Sequence, residues 1–562
     1  MNLPKILIIK ILDYIVNIDA FSHVLVKTLC AFIYQCRLVS KDWKDNIITR
    51  LHLRNDIKFK MTNIQKIRYL TKTGLPIRAS VEDDNITELK FTGLESVIRS
   101  VYISIPTTLP TNQYLEAIFK FISKSTITNY YIRNSGQIEN IYDSLFAVPQ
   151  VLEYMESLSL TISGIFVLDT LLESMKSTTR LRSLKINYTR IILKNAEVLE
   201  THFPTLTTIS LYRTPSDIIL PILRHAKNLL EFSVSSCGDD IHILGPIFEE
   251  ISNNKSLTSL SVDDNNLILP FHLFSQLLNR NQTLTKLNMS FSALSTADTN
   301  TTPSKITNHT LLTLGILSDN MEISKPMLTN WQEPNSITST TLQWIIDSKL
   351  LDILEYFPKL RSLEYTNKGS GDGYSTHFLS LMNKNLPNLK SISIYSLPKL
   401  IGISTLIAKN TYITTLGINC RISYTMLLEL LQCDHPTLTS ITTYVDTSPL
   451  IDFISFAQIL GNNRKITQLY LLGDLYITST PDIYLYYLSH ILEKNYYLTI
   501  LSWNIARKFH KSEFLATHEI PKSLVRAMTL NNSIVKLQVF SCFAGSPLMK
   551  ELAQLMENKT IS

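Results

Sequence analysis

The chain has 562 residues, 53 Lys and Arg against 47 Asp and Glu, and a formal net charge of +6. With 45% hydrophobic and 18% charged residues it has the composition of a folded chain rather than a disordered one, and its small, dispersed charge excess argues against nucleic-acid binding. Nowhere do about eighteen apolar residues follow one another, so no membrane-spanning helix is indicated. Lys10 and Asp13 interrupt the apolar run Ile6 to Val16 and no small-residue cleavage site succeeds it, so no secretory leader is read there and a cytoplasmic or nuclear location is expected. The six cysteines are scattered without a framework of short spacings, and reduced thiols are expected.

From the amino terminus, Leu3-Pro4 opens a helical pattern with Leu3, Leu7, Ile11 and Ile15 on one stripe and Ile8 and Leu12 widening it. Phe21 to Cys36 carries apolar residues at helical intervals. A third helix is expected from Ser40 as N-cap, burying Trp43, Ile47 and Leu51. The segments Leu3-Pro4…Ile8…Ile11-Leu12…Ile15 and Leu38-Val39-Ser40-Lys41-Asp42-Trp43 resemble the two ends of an F-box. That resemblance implies a three-helix module over residues 1–57 docking on the small adaptor subunit of a cullin-type ubiquitin ligase. Leu3, Pro4, Ile8 and Leu12 would then face the adaptor. Ile6 stands where the family usually has an acidic residue, and the span from Ile15 to Leu38 is longer than in a typical box. The alternative is that these helices only cap the open end of a stack of repeats.

Residues 58–115 read as a connecting segment or as irregular first repeats, with Ile86/Leu89/Phe91 and Ile98/Val101/Ile103 as candidate strands and Pro106 and Pro110 as a break.

Residues 116–562 are organised by one spacing. Leu257 to Leu267 carries Leu257, Leu260, Val262, Asn265 and Leu267 in the pattern L-x-x-L-x-L-x-x-N-x-L, and the next copy begins at Leu284. The register recurs at Ile127, Met155, Leu181, Leu206 and Leu229 before it and at Leu311, Leu360, Leu389, Ile413, Leu438, Ile466, Leu498 and Ile534 after it. The gap from Leu311 to Leu360 is about two periods, so a degenerate repeat is expected near Ile337. Cys237 and Cys542 fall at the ninth position, which accepts Asn or Cys.

This stretch resembles the leucine-rich repeat, and roughly sixteen units are expected. A single unit cannot bury its apolar face, whereas a stack shares one core. Ser/Thr-Pro pairs at Thr214-Pro215, Ser448-Pro449, Thr480-Pro481 and Ser546-Pro547 mark helix starts between strands. After Ser448-Pro449 the expected stripe is Ile451, Ile454, Ile459 and Leu460, with Gly461 as a stop. After Thr480-Pro481 it is Leu485, Leu488, Ile491 and Leu492. Parallel strands need about 4.8 Å each and helices roughly 8 to 10 Å, so the expected fold is α/β: a solenoid with a curved parallel sheet on the concave side, helices on the convex side, and a small all-α domain before it.

Along each strand the residues between the fixed apolar ones point to the concave face, which is mostly Ser and Thr with isolated aromatics and mixed charges. Tyr212, Asp263, Tyr395, Tyr444 and Phe540 are the candidate contacts for a protein ligand, because aromatic side chains carry much of the energy of interfaces. Strand tyrosines also pair across ladders purely for packing.

Chemistry has no visible carrier. Gly369 to Gly373 lacks the Lys-Ser/Thr of a phosphate loop, His510 and His518 or Cys433-Asp434-His435 match no zinc spacing, and no nucleophile elbow is present. Neither a cofactor nor a metal is expected, and the chain is not expected to be an enzyme. An F-box preceding leucine-rich repeats resembles the substrate receptors of cullin-type ligases, which implies a protein substrate on the concave face and the small adaptor as partners. The alternative is a repeat scaffold or regulator outside any ligase.

Overall fold

In the computed structural model the described residues lie between 29 and 538 in interrupted stretches; residues 1–28, 539–562 and several connections, among them 82–93, 106–118, 236–243, 296–304, 344–356, 367–381 and 506–521, fall outside them. The chain forms two compact units, Met1–Phe291 and Ser292–Ser562.

In the first unit the strands are β1 (Ile57–Phe59), β2 (Ala79–Val81), β3 (Ile98–Ile105), β4 (Asn129–Asn134), β5 (Ser157–Ile162), β6 (Ile165–Val167), β7 (Ser183–Asn187), β8 (Arg190–Ile192), β9 (Thr208–Tyr212), β10 (Glu231–Ser235), β11 (Ser259–Asp263), β12 (Ile268–Pro270) and β13 (Lys286–Phe291). Apart from the short β6, β8 and β12, each pairs in parallel with the next, so that β1 to β13 form one ladder. β6 pairs with β8 outside it. Leu206, Leu257 and Leu284 therefore open rungs of a single sheet.

The second unit contains β14 (Ala293–Ser295), β15 (Thr313–Ser318), β16 (Ser339–Gln343), β17 (Ser362–Thr366), β18 (Ser391–Ile394), β19 (Thr415–Ser423), β20 (Ser440–Asp446), β21 (Gln468–Leu475), β22 (Ile500–Ile505) and β23 (Lys536–Gln538). From β15 to β23 the parallel pairing is again continuous. β16 is the degenerate repeat expected near Ile337. There Thr340 takes the leucine's place and is fully buried, its hydroxyl donating to Leu314 O at 2.8 Å.

The repeating apolar residues make the core. Leu181, Leu184 and Ile186, Leu206, Ile209 and Leu211, and Leu389, Ile392 and Ile394 are all buried, each worth roughly 1.5–3 kcal/mol of transfer free energy. Helices cover that side between strands: Ser216–His225, Leu244–Asn253 and Phe271–Arg280 in the first unit, Tyr424–Gln432, Phe453–Asn462, Pro481–Lys494 and Lys522–Leu530 in the second. Strand then helix, with the ladder strands described above paired in parallel, is the leucine-rich-repeat fold.

Three side-chain ladders tie successive repeats together. An asparagine three residues before the first leucine closes the turn out of the helix. Asn281 Oδ1 accepts from Thr283 N (3.0 Å) and Leu284 N (2.8 Å), while its Nδ2 donates to Ile251 O (2.8 Å) and Asn254 O (3.2 Å) of the repeat before. Asn495 and Asn531 repeat both halves of this arrangement. A hydroxyl just before the leucine donates to the preceding repeat, as from Thr283 to Leu257 O and from Thr437 to Ile413 O, both 2.8 Å. A threonine just after it does the same, from Thr285 to Thr258 O at 3.1 Å and from Thr499 to Thr467 O at 2.9 Å. The hydroxyls of Thr283 and Thr437 give partners to carbonyls at the turn, whereas Thr258 O and Thr467 O already accept backbone N–H groups from the next repeat and gain a further donor.

The helix stripe expected after Ser448-Pro449 is corrected. Ile454 is 49% exposed and Ile459 half-buried, whereas Phe456, Ala457 and Leu460 are buried. Nor does Gly461 stop the helix, which runs on to Asn462. A Cβ at Gly461 would lie 3.5 Å from Lys494 Cβ, so the glycine marks the close approach of this helix to Pro481–Lys494. In that next helix Leu488, Ile491 and Leu492 are buried as expected, while the Leu485 side chain lies outside the described residues.

Among the described residues near the amino terminus, Leu29, Ile33, Ile47, Ile48 and Leu51 are buried. Cys30 Sγ reaches Lys66 O of the helix Ile64–Lys72 at 3.4 Å. Gly74, at φ +78°, leaves room for Thr49, whose Cγ2 would sit 2.9 Å from a Cβ there. The segment before β1 thus packs on the first repeat. Trp43, Ile86 to Phe91, Cys237 and Cys542 lie outside the described residues.

Candidate partner-binding face

Alternation along the strands sends one set of side chains into the core and the other away from the helices, and the burial agrees: Ser183 half-buried, Leu184 buried, Lys185 exposed, Ile186 buried, Asn187 exposed. The outward set is rich in hydroxyls. In the second unit Thr313, Ser339, Ser362, Ser391, Thr415 and Ser440 stand in register on consecutive strands.

Tyrosines project from this polar floor. Tyr212, Tyr395 and Tyr444 are 42%, 43% and 37% exposed, and Tyr131, which sequence reasoning did not single out, is 43% exposed. The signal for Tyr131 was present, because the register Ile127/Tyr130/Ile132 leaves it at an outward position while Tyr130 is buried. Asp263 is exposed at the end of β11 and shares a row with Tyr212 through Ser235, two strands and roughly 10 Å away. Phe540 and the amino-terminal candidates Leu3, Pro4, Ile8 and Leu12 lie outside the described residues.

Tyr395 and Tyr444 flank β19 in the second unit. A bulge between Ile418 and Arg421 shifts the register so that the exposed Arg421 pairs with Tyr444. Two residues before the tyrosines on their strands the floor is low: Gly417 pairs with Ser393 and Thr442, and Ser393 Oγ would lie 3.0 Å from a Cβ at Gly417. On the other side Glu364 Oε2 accepts from Thr341 Oγ1 at 3.2 Å. Partial burial, and secondly the Glu364 carboxylate, raise the Tyr395 phenol above its ordinary value, so the ring presents a neutral O–H donor. A shallow floor between two aromatic rims, with one cation and one carboxylate beside it, suits an extended polypeptide segment.

No family model matches the sequence, and no curated protein matches it significantly. Solved structures align with most of it, among them these two. A leucine-rich-repeat protein of Leptospira interrogans is 15% identical over 70% of this chain and 80% of its own, with a TM-score of 0.27. A complex of Rad7 and Elc1 from yeast aligns at 14% identity over 70% of this chain and 88% of that one, with a TM-score of 0.30. The repeat fold rests on strand register and burial, not on these likenesses.

Among the described residues no group of three or more His, Cys, Asp or Glu is placed to hold a metal ion. No helix among them is long and apolar enough to cross a membrane. His435, notable in the sequence only for its neighbours Cys433 and Asp434, is a buried member of the turn ladder. Its Nδ1 accepts from Thr437 N (3.2 Å) and Leu438 N (2.9 Å).

Proposed function

We propose that this chain is a protein-interaction protein that holds a protein partner on the outward face of its strands and catalyses nothing itself. The observation that carries the reading is the exposure of Tyr395 and Tyr444 on either side of β19, since large aromatic side chains left in solvent on a rigid sheet are the usual anchors of an interface. The finer reading rests on the F-box resemblance of residues 1–57: the partner is the substrate of a cullin-type ubiquitin ligase, reached through its small adaptor in the cytoplasm or nucleus. Affinity purification of the full chain tests both. The double variant Tyr395→Ala/Tyr444→Ala should lose the bound protein while keeping the adaptor, and Leu3→Asp or Leu12→Asp should lose the adaptor alone. Capture of the same proteins by the tyrosine variant as by the parent sinks the first reading. Absence of the adaptor from the parent chain sinks the second.

A repeat scaffold with a capping amino terminus is favoured by one specific contact set, Cys30 to Lys66 O and Thr49 against Gly74. On that reading, removal of residues 1–55 lowers the unfolding midpoint of the chain and the adaptor is never captured.

A further inference from the structure

The outward face of β3, β4, β5, β7 and β9 differs from the rest of its ladder. Arg133 at the end of β4 and Lys185 in β7 are exposed, with Ser159 and Thr161 of β5 as the floor between them. Two strand spacings separate β4 from β7, roughly 10 Å. Tyr131 pairs with Tyr102 at one side and Tyr212 closes the other. Every other outward position described on these strands carries Ser, Thr, Asn or Tyr, with no carboxylate among them. Neither Arg133 nor Lys185 takes part in an ion pair among the described residues. Among the described residues of this ladder, carboxylates return at Glu231 on β10 and Asp263 on β11; at the turns leading into β5 and β7, Glu156 and Arg182 hold equivalent places and offset each other.

From this arrangement we infer that the patch binds an acidic segment of a protein partner, an extended stretch bearing Asp, Glu or phosphorylated side chains that crosses the strands from β4 to β9. The inference rests on the protein-binding reading proposed for the chain and names the chemistry of one partner segment. Arg133 offers a planar fork for a carboxylate or phosphate, Lys185 a point charge one carboxylate further along, and the hydroxyls of Ser159 and Thr161 supply neutral donors between them. The tyrosines at both margins cover the segment's backbone and lower the local dielectric, which strengthens both pairings. Two cations are too few to track a phosphate backbone, where binding strength grows with the number of phosphates neutralised, so a protein segment is the occupant the charge favours over nucleic acid.

The test uses the full chain and a fluorescein-labelled peptide of about twelve residues, long enough to cross the patch, rich in Asp and Glu. Its amide counterpart, with Asn and Gln at the same positions, and a single-stranded oligouridylate serve as the other probes. The acidic peptide should bind, weaken as salt rises from about 50 to 200 mM, and bind about tenfold more weakly to Arg133→Glu/Lys185→Glu, with a smaller loss for Arg133→Gln/Lys185→Gln. The charge variants alter exposed side chains, so an unchanged unfolding midpoint assigns their loss to the patch. Equal affinity for the amide peptide, insensitivity to the charge variants, or tighter binding of the oligouridylate overturns the inference. Capture of a protein by the full chain with no binding of the acidic peptide overturns it while sparing the reading on which it rests.

Discussion

The Nε2–H of His435 donates to the backbone carbonyl of Asn410, the residue that holds the same position one repeat earlier. With Nδ1 accepting from Thr437 N and Leu438 N, the imidazole reproduces what Asn463 does in the next repeat, where Oδ1 accepts from Lys465 N (2.9 Å) and Ile466 N (2.8 Å) and Nδ2 donates to Leu431 O (2.7 Å). Two backbone donors aimed at Nδ1 fix the neutral tautomer protonated at Nε2.

This substitution makes one rung of the second unit sensitive to pH. Burial holds the His435 pKa below its ordinary 6.5; the bonds to Asn410 O and Ile407 O oppose that, and Lys465 adds to it. Because the folded-state pKa lies below the unfolded one, the stability contributed is complete above about pH 6.5 and is lost as pH falls toward and through the folded value. His490, also held low by burial, acts in the same direction, so the comparison that isolates the rung is with His435→Asn. Urea unfolding at about pH 7.5 and 5.5 should show a smaller acid-induced loss in His435→Asn than in the parent. An identical loss in the two proteins would refute the assignment.

Removing a ladder asparagine strips partners from both sides of a repeat junction. Asn281→Ala takes from the amides of Thr283 and Leu284 their acceptor, and from Ile251 O one of its two donors, the other being Asn254 N. At about 1–3 kcal/mol for a buried group left unsatisfied, the chain should lose at least 2 kcal/mol, roughly, in denaturant unfolding. Asn281→Asp should lose nearly as much, since the carboxylate keeps the acceptor but cannot donate to Ile251 O.

Two leucines at different positions of the repeat test the register directly. Leu260 is fully buried, whereas Leu312, two repeats on and one residue past the opening leucine, is 44% exposed. Leu260→Ala should cost about 2–5 kcal/mol and Leu312→Ala no more than about 0.5. Equal costs in denaturant unfolding would mean that the strand faces are assigned the wrong way round.

Gly461 offers a stabilising change. A methyl there meets Lys494 Cβ at an ordinary 3.5 Å, and glycine inside a helix is worse than alanine by about 0.5–1 kcal/mol. Gly461→Ala should raise the midpoint of thermal unfolding; Gly461→Leu, whose longer side chain has to displace the helix Pro481–Lys494, should lower it.

The opening leucine and its two successors were legible because they are local: three side chains within six residues of strand, repeated at a near-constant interval. The same counting located the weak rung at Ile337, although nothing in the pattern indicated that Thr340 would be buried there and spend its hydroxyl on Leu314 O. Asn254, Asn281, Asn308, Asn463, Asn495 and Asn531 also recur three residues before a leucine or isoleucine, a signal that lies upstream of the leucine and so outside a pattern counted forwards from it. The misassigned Ile454 has another cause, and Ile451 of the same stripe lies outside the described residues. An apolar residue on a helix records hydrophobicity, but which flank turns inward depends on where the neighbouring helix lies.

The sequence by itself determined that this protein is a stack of parallel strand–helix repeats and which residues of each strand fill its core, because the period of the hydrophobic pattern matches the period of the backbone. Only the tertiary structure decided that Gly461 sits at a helix contact, that a bulge sets Arg421 beside Tyr444, that His435 serves as an asparagine, and that Arg133 and Lys185 share an acid-free surface. Each of these depends on residues one or more repeats away, and contacts at that separation are set by the stacking of whole repeats rather than by any local run of side chains.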